Sequence, residues 1–109
     1  MLMNLIDREE LKERLDNGDD IKLVMVLSDW AYRAKNIPGS LHFDTAGEGL
    51  KALDPDEEIV LYDSNPMCPA SRIACRFLQA RGFKRVRRYP GRLEDWEDAG
   101  YPLEGELVV

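Results

Sequence analysis

Seven consecutive residues, Ile21-Lys22-Leu23-Val24-Met25-Val26-Leu27, are apolar except for Lys22. Such a run suits a strand buried on both faces, the environment of a parallel sheet covered by helices. A second apolar run, Glu58-Ile59-Val60-Leu61-Tyr62, reads the same way. Helical patterns stand before and after both runs, and this alternation of strand and helix argues for an α/β domain with a mainly parallel sheet.

The remaining elements follow from local signals. Asp7 is a fitting N-cap, Glu10 occupies the capping-box position, and Ile6 and Leu11 can form a hydrophobic staple. Leu11 and Leu15 continue that helix until Asn17-Gly18 stops it. Asp29 to Lys35 reads as a short helix, and Asn36-Ile37-Pro38-Gly39 as a turn. Leu41 and Phe43 suggest a brief strand, and Ala46 to Leu53 a weak helix interrupted by Gly47 and Gly49. A helix from about Ala70 to Arg81 ends at Gly82. A short strand around Val86 precedes the Pro90-Gly91 turn, and a last helix covers Leu93 to Asp98. Trp30 and Trp96 are expected in the core.

Its 109 residues make one domain, 1–109, large enough for a core without staples. The net charge of -6 excludes a nucleic-acid binder in the ordinary sense. Yet eight of the fifteen basic residues fall between Arg72 and Arg92. They form either a solvated face balanced by acidic neighbours or a local positive field that draws anions to the neighbouring loop. No segment is apolar enough to span a membrane, and the start of the chain lacks a signal-peptide pattern. Two cysteines and one histidine suit free thiols in a reducing cytoplasm, with no metal site and no cofactor.

Chemistry concentrates in Asp63-Ser64-Asn65-Pro66-Met67-Cys68-Pro69-Ala70-Ser71-Arg72, between the strand at Glu58–Tyr62 and the following helix. In parallel sheets, sites gather beyond the carboxyl ends of strands. A loop that opens into a helix gathers backbone N–H groups around an anion or a low-pKa nucleophile. Two readings stand for Asp63: a carboxylate capping the helix and filling that anion position, or an acid or nucleophile without a supporting partner nearby. Cys68 is either a thiolate favoured by loop amides, the helix dipole and Arg72, or a partly buried structural cysteine. Cys75 belongs with the core. Arg72 either binds an anionic substrate or pairs with Asp63, and His42 has no catalytic partner in view.

The chain resembles the rhodanese-like domains. The resemblance rests on Asn36-Ile37-Pro38-Gly39-Ser40-Leu41, on Leu53-Asp54-Pro55-Asp56 before the second strand and on Arg81-Gly82-Phe83 after the helix. The ending Tyr89-Pro90-Gly91-Arg92-Leu93-Glu94-Asp95-Trp96 through Ala99-Gly100-Tyr101-Pro102 is the most specific part. It implies a central, mainly parallel five-stranded sheet flanked by helices, and sulfane sulfur transfer from a thiosulfate-type donor to a thiophile through a cysteine persulfide. The family's nucleophile stands at the position of Asp63. Ser64, Asn65, Met67, Ser71 and Arg72 then line the donor site, and Met67-Cys68-Pro69-Ala70-Ser71-Arg72 is similar to the subset with a second loop cysteine. Four places depart from the pattern: Asp63 itself, Met25 and Leu27 in the first strand, Asn36 before Ile-Pro-Gly, and Arg92. Two functions follow, a sulfurtransferase surviving through Cys68 or a non-catalytic module binding a small anion or a protein partner. Phosphatase chemistry, which the fold's relatives perform with a Cys and an Arg around the loop, lacks its cysteine here.

Overall fold

A computed structural model describes residues 4–26, 29–43, 46–63 and 70–108. Its elements, in chain order, are β1 (Asn4–Leu5), α1 (Arg8–Asp16), β2 (Ile21–Met25), α2 (Asp29–Ala34), α3 (Ala46–Ala52), β3 (Glu58–Tyr62), α4 (Ala70–Ala80), β4 (Val86–Arg88) and α5 (Arg92–Asp98). The strands form one sheet in the order β1-β4-β3-β2, with every pair parallel. Four strands pair among the described residues, not the five expected. The segment read as a brief strand contributes one parallel bridge, Val24 to Leu41, held by Met25 N–H to Leu41 O and Leu41 N–H to Leu23 O. The Pro38-Gly39 turn, with Gly39 at φ 87°, comes just before it.

Strand alternation divides the core in two. Leu23, Met25, Val60 and Tyr62 point to one face and pack with Ile6, Leu11, Ile37, Tyr89, Leu93 and Trp96. Val24, Ile59, Leu61 and Val86 point to the other and pack with Leu53, Cys75, Leu78 and Phe83. All five residues of β3 are buried, which is why its sequence shows no alternation of polar and apolar residues.

Asp7 caps α1 as the sequence indicates, its carboxylate accepting the Glu10 N–H at 2.8 Å. Glu10 does not return the bond to close a capping box. Its carboxylate takes Arg87 of β4 instead, at 2.6 and 3.2 Å, tying α1 to the sheet. Trp96 is 1% exposed, sits edge-on to both Tyr89 and Tyr101, and donates its indole N–H to Pro102 O. Trp30 corrects the expectation of burial: it is 71% exposed. The six-residue α2 turns Ala31 and Tyr32 to the core, and its neighbouring position faces solvent. No helix among the described residues is long and apolar enough to cross a membrane.

Candidate functional site

The parallel register sets the site. β2, β3 and β4 end together, Met25 beside Tyr62 and Leu61 beside Arg88, so Asp63 emerges between two strand ends below the start of α4. Tyr62 anchors this corner. Its hydroxyl accepts the Ile37 N–H at 3.0 Å and donates to Ser40 Oγ at 2.6 Å, while Ser40 Oγ donates to Ile37 O. Burial pushes the Tyr62 phenol up to about 12, so it holds the Ile37-Pro38-Gly39 turn as a neutral group.

Asp63 is 1% exposed. Its carboxylate accepts the Ser71 N–H at 3.3 Å, and its carbonyl accepts the Leu93 N–H at 3.1 Å. A carboxylate at the N-terminus of an eleven-residue helix is stabilised by the free amides and the aligned peptide dipoles. Ser71 is itself buried, and its Oγ accepts from Arg88 Nε at 2.8 Å. Ser71 thus bridges the carboxylate at the end of β3 and the guanidinium at the end of β4 (main-chain N–H on one side, hydroxyl on the other).

One turn deeper on α4 lies Cys75, fully buried. Burial pushes its thiol up to about 11, against a smaller opposing pull from the charge of Arg88. At neutral pH it is a protonated core side chain, as its position beside Ala74 and Leu78 suggested. Arg72 is exposed, and no ion pair joins it to Asp63 among the described residues. Ser64, Asn65, Met67 and Cys68 lie outside the described residues. His42 stacks on Tyr32 at 5.2 Å between ring centroids, with Nδ1 3.2 Å from Met25 O.

The basic cluster divides. Arg87 pairs with Glu10, Arg85 reaches Glu58 at 3.4 Å, and the Arg81 guanidinium lies 3.8 Å from the centre of the Phe77 ring. Arg88 alone among these four reaches the start of α4. Sequence reasoning missed it as a site residue because its partner, Ser71, lies seventeen positions earlier. The available signal was its place at the end of the strand next to the loop-bearing one.

Chemically the described part of the site is an anion position already filled. The carboxylate at 63 has an amide donor and no thiol, and the one thiol among the described residues, Cys75, is buried and protonated.

The family model of the rhodanese-like domain matches residues 7–99. Among solved structures, a protein of Bacillus halodurans is similar with a TM-score of 0.86 and 25% identity, over 95% of this chain and 78% of that one. The rhodanese-like domain of an Anabaena protein is similar with a TM-score of 0.86 and 24% identity, covering 97% of this chain and 82% of that one. A thiosulfate sulfurtransferase of Pseudomonas aeruginosa shares the fold with a TM-score of 0.79 and 20% identity. That match covers 94% of this chain and 20% of the Pseudomonas chain. No curated protein matches the sequence.

Proposed function

The chain belongs to the rhodanese-like domain family, and from that premise we propose that it is a sulfurtransferase-family domain with a degenerate active loop. No sulfane sulfur is carried at position 63, and transfer is weak or absent unless the Cys68 thiol accepts the sulfur. One observation carries this reading: the buried Asp63 carboxylate bonded to the Ser71 N–H, at the position where the resemblance puts the family's nucleophile. A carboxylate oxygen does not hold a persulfide. Its negative charge, in a site of low dielectric, also opposes an incoming thiosulfate dianion.

If Cys68 serves, its thiolate attacks the sulfane sulfur of thiosulfate, the S–S bond breaks, and sulfite leaves with the bonding electrons. Cyanide or another thiophile then takes the outer sulfur and restores the thiolate. Thiosulfate is the donor to try first, because a neighbour in fold is a thiosulfate sulfurtransferase. A reducing cytoplasm would keep such a thiol free. The missing nucleophile leaves a second reading as well, a non-catalytic module whose basic face recognises a small anion or a protein partner.

Incubation with thiosulfate followed by intact-mass measurement and peptide mapping separates the two. A gain of one sulfur on the peptide holding Cys68, absent in Cys68→Ala, supports transfer through that thiol. No adduct and no thiocyanate, in the wild type and in Cys68→Ala alike, leaves the non-catalytic module. Sulfur retained by a variant lacking both cysteines would overturn both readings.

A further inference from the structure

The opposite end of the sheet carries a second polar concavity. Ile59 pairs with Val86, and the Ile59 N–H bonds the Arg85 carbonyl, so Glu58, Lys84 and Arg85 stand at the amino ends of β3 and β4. Asp63 is at the carboxyl end. At the amino end an open groove of about 280 Å³ is lined by Asn4, Glu58, Lys84, Arg85 and Arg87.

Its donors outnumber its acceptors. Glu58 is the one carboxylate in the lining, and both its oxygens are engaged by Arg14, at 2.9 and 2.5 Å, with Arg85 at 3.4 Å. Arg14 and Glu58 hold each other in the charged state, and Asp19 adds to the hold on Arg14. Arg87 gives its terminal N–H groups to Glu10 and to Leu5 O. Its Nε, however, is buried with no hydrogen-bond partner among the described residues. A buried guanidinium N–H left unpaired is rare; being buried, it adds to the groove through the positive charge of Arg87 rather than as an open donor. Lys84 is exposed and forms no ion pair among the described residues, and the Arg85 side chain is 60% exposed. Besides Glu58, acids near this end include Glu10, on Arg87, Asp19, on Arg14, Glu57, 3.9 Å from Lys22, and Asp56, whose carbonyl takes Arg85 at 3.4 Å.

We propose that this groove binds a tetrahedral oxyanion of the phosphate type, received by Lys84, Arg85 and Arg87. Exposed donors of Lys84 and Arg85 beside the Arg87 charge suit the several acceptor oxygens and higher charge of a phosphate better than the two oxygens of a planar carboxylate. The hollow is larger than a bare oxyanion, which leaves space for the substituent of a phosphomonoester. This site is independent of the loop at Asp63 and of whether that loop transfers sulfur.

Amide chemical shifts of the ¹⁵N-labelled protein, followed at constant ionic strength, test it. Inorganic phosphate and glycerol phosphate are expected to give saturable shifts at Asn4, Leu5, Glu58 and Lys84 to Arg88, whereas acetate is not. Lys84→Ala and Arg85→Ala each weaken binding by about fivefold, the effect of one exposed charge-assisted contact. Arg33→Ala, which removes the same charge from α2, leaves it unchanged. Shifts that acetate or chloride reproduces overturn the proposal, as does phosphate binding that both groove variants retain undiminished. Binding by inorganic phosphate alone overturns the phosphomonoester and leaves the oxyanion site standing.

Discussion

At position 63 a carboxylate and a thiolate would meet the same surroundings: the Ser71 N–H, the amino end of α4 and, through Ser71 Oγ, the Arg88 guanidinium. For a thiol there, each favours the thiolate over the neutral form. Asp63→Cys, made in a Cys68→Ala background, should therefore give a thiol that ionises below the ordinary value of roughly 8.5. Cys75, raised to about 11, should stay silent in the same experiment. Alkylation rate against pH measures both, and thiocyanate production from thiosulfate and cyanide reports whether the new thiolate transfers sulfur. A new thiol titrating at or above the ordinary value would mean that the corner does not stabilise anions, and the account of Asp63 would fail with it. Locating Asp63 needed only the strand, loop and helix in order. Seeing what holds it needed the fold, since Ser71 is eight residues on and Arg88 belongs to another strand.

Between elements, buried and half-buried ion pairs connect what local sequence signals cannot. The Asp7 cap was legible because its partner is three residues away, and Asp7→Ala should cost about 1 kcal/mol in urea unfolding. Glu10 was half legible: its position was right, but its charge goes to Arg87, seventy-seven residues on. The Glu58 pair with Arg14 likewise joins α1 to β3. Hydrogen bonds from Arg14, then its charge and those of Arg85 and Arg87, hold the Glu58 carboxyl below its usual value despite burial. A carboxyl whose folded pKa is depressed adds stability above its unfolded pKa of about 4.5 and loses it as pH falls through the folded value. Unfolding free energy should therefore decline as pH falls from near that unfolded value through the folded one, and Glu58→Gln should flatten the decline. At neutral pH the same variant should cost about 2 kcal/mol, because it strips a charged partner from Arg14. An unchanged pH slope in Glu58→Gln would assign the acid sensitivity elsewhere, to Glu10 first, whose carboxyl the Arg87 hydrogen bond also lowers.

Across the whole molecule the sheet separates two cores that share only its backbone. The run at 21–27 signalled a doubly covered parallel sheet because a strand buried on both faces has nowhere to put polar residues. The edge was less readable. Leu41 and Phe43 have strand-like composition, but only Leu41 bridges to the sheet, and composition does not reveal where a pairing stops. Trp30 misled for a related reason: an aromatic residue in a six-residue helix has too few neighbours to reveal which face is inward. Because Ile6 lies in the cluster with Leu11 and Trp96, and Ile59 in the one with Cys75 and Leu78, trimming them creates cavities with no common wall. Ile6→Val and Ile59→Val should each cost about 1 kcal/mol. Their double variant should match the sum within about 0.5 kcal/mol, as for separate sites without shared partners. Equilibrium urea unfolding of the four proteins completes the cycle. A coupling well beyond that margin would show that the two faces relax together through β3, and the sheet would then be a deformable layer between its cores and no rigid partition.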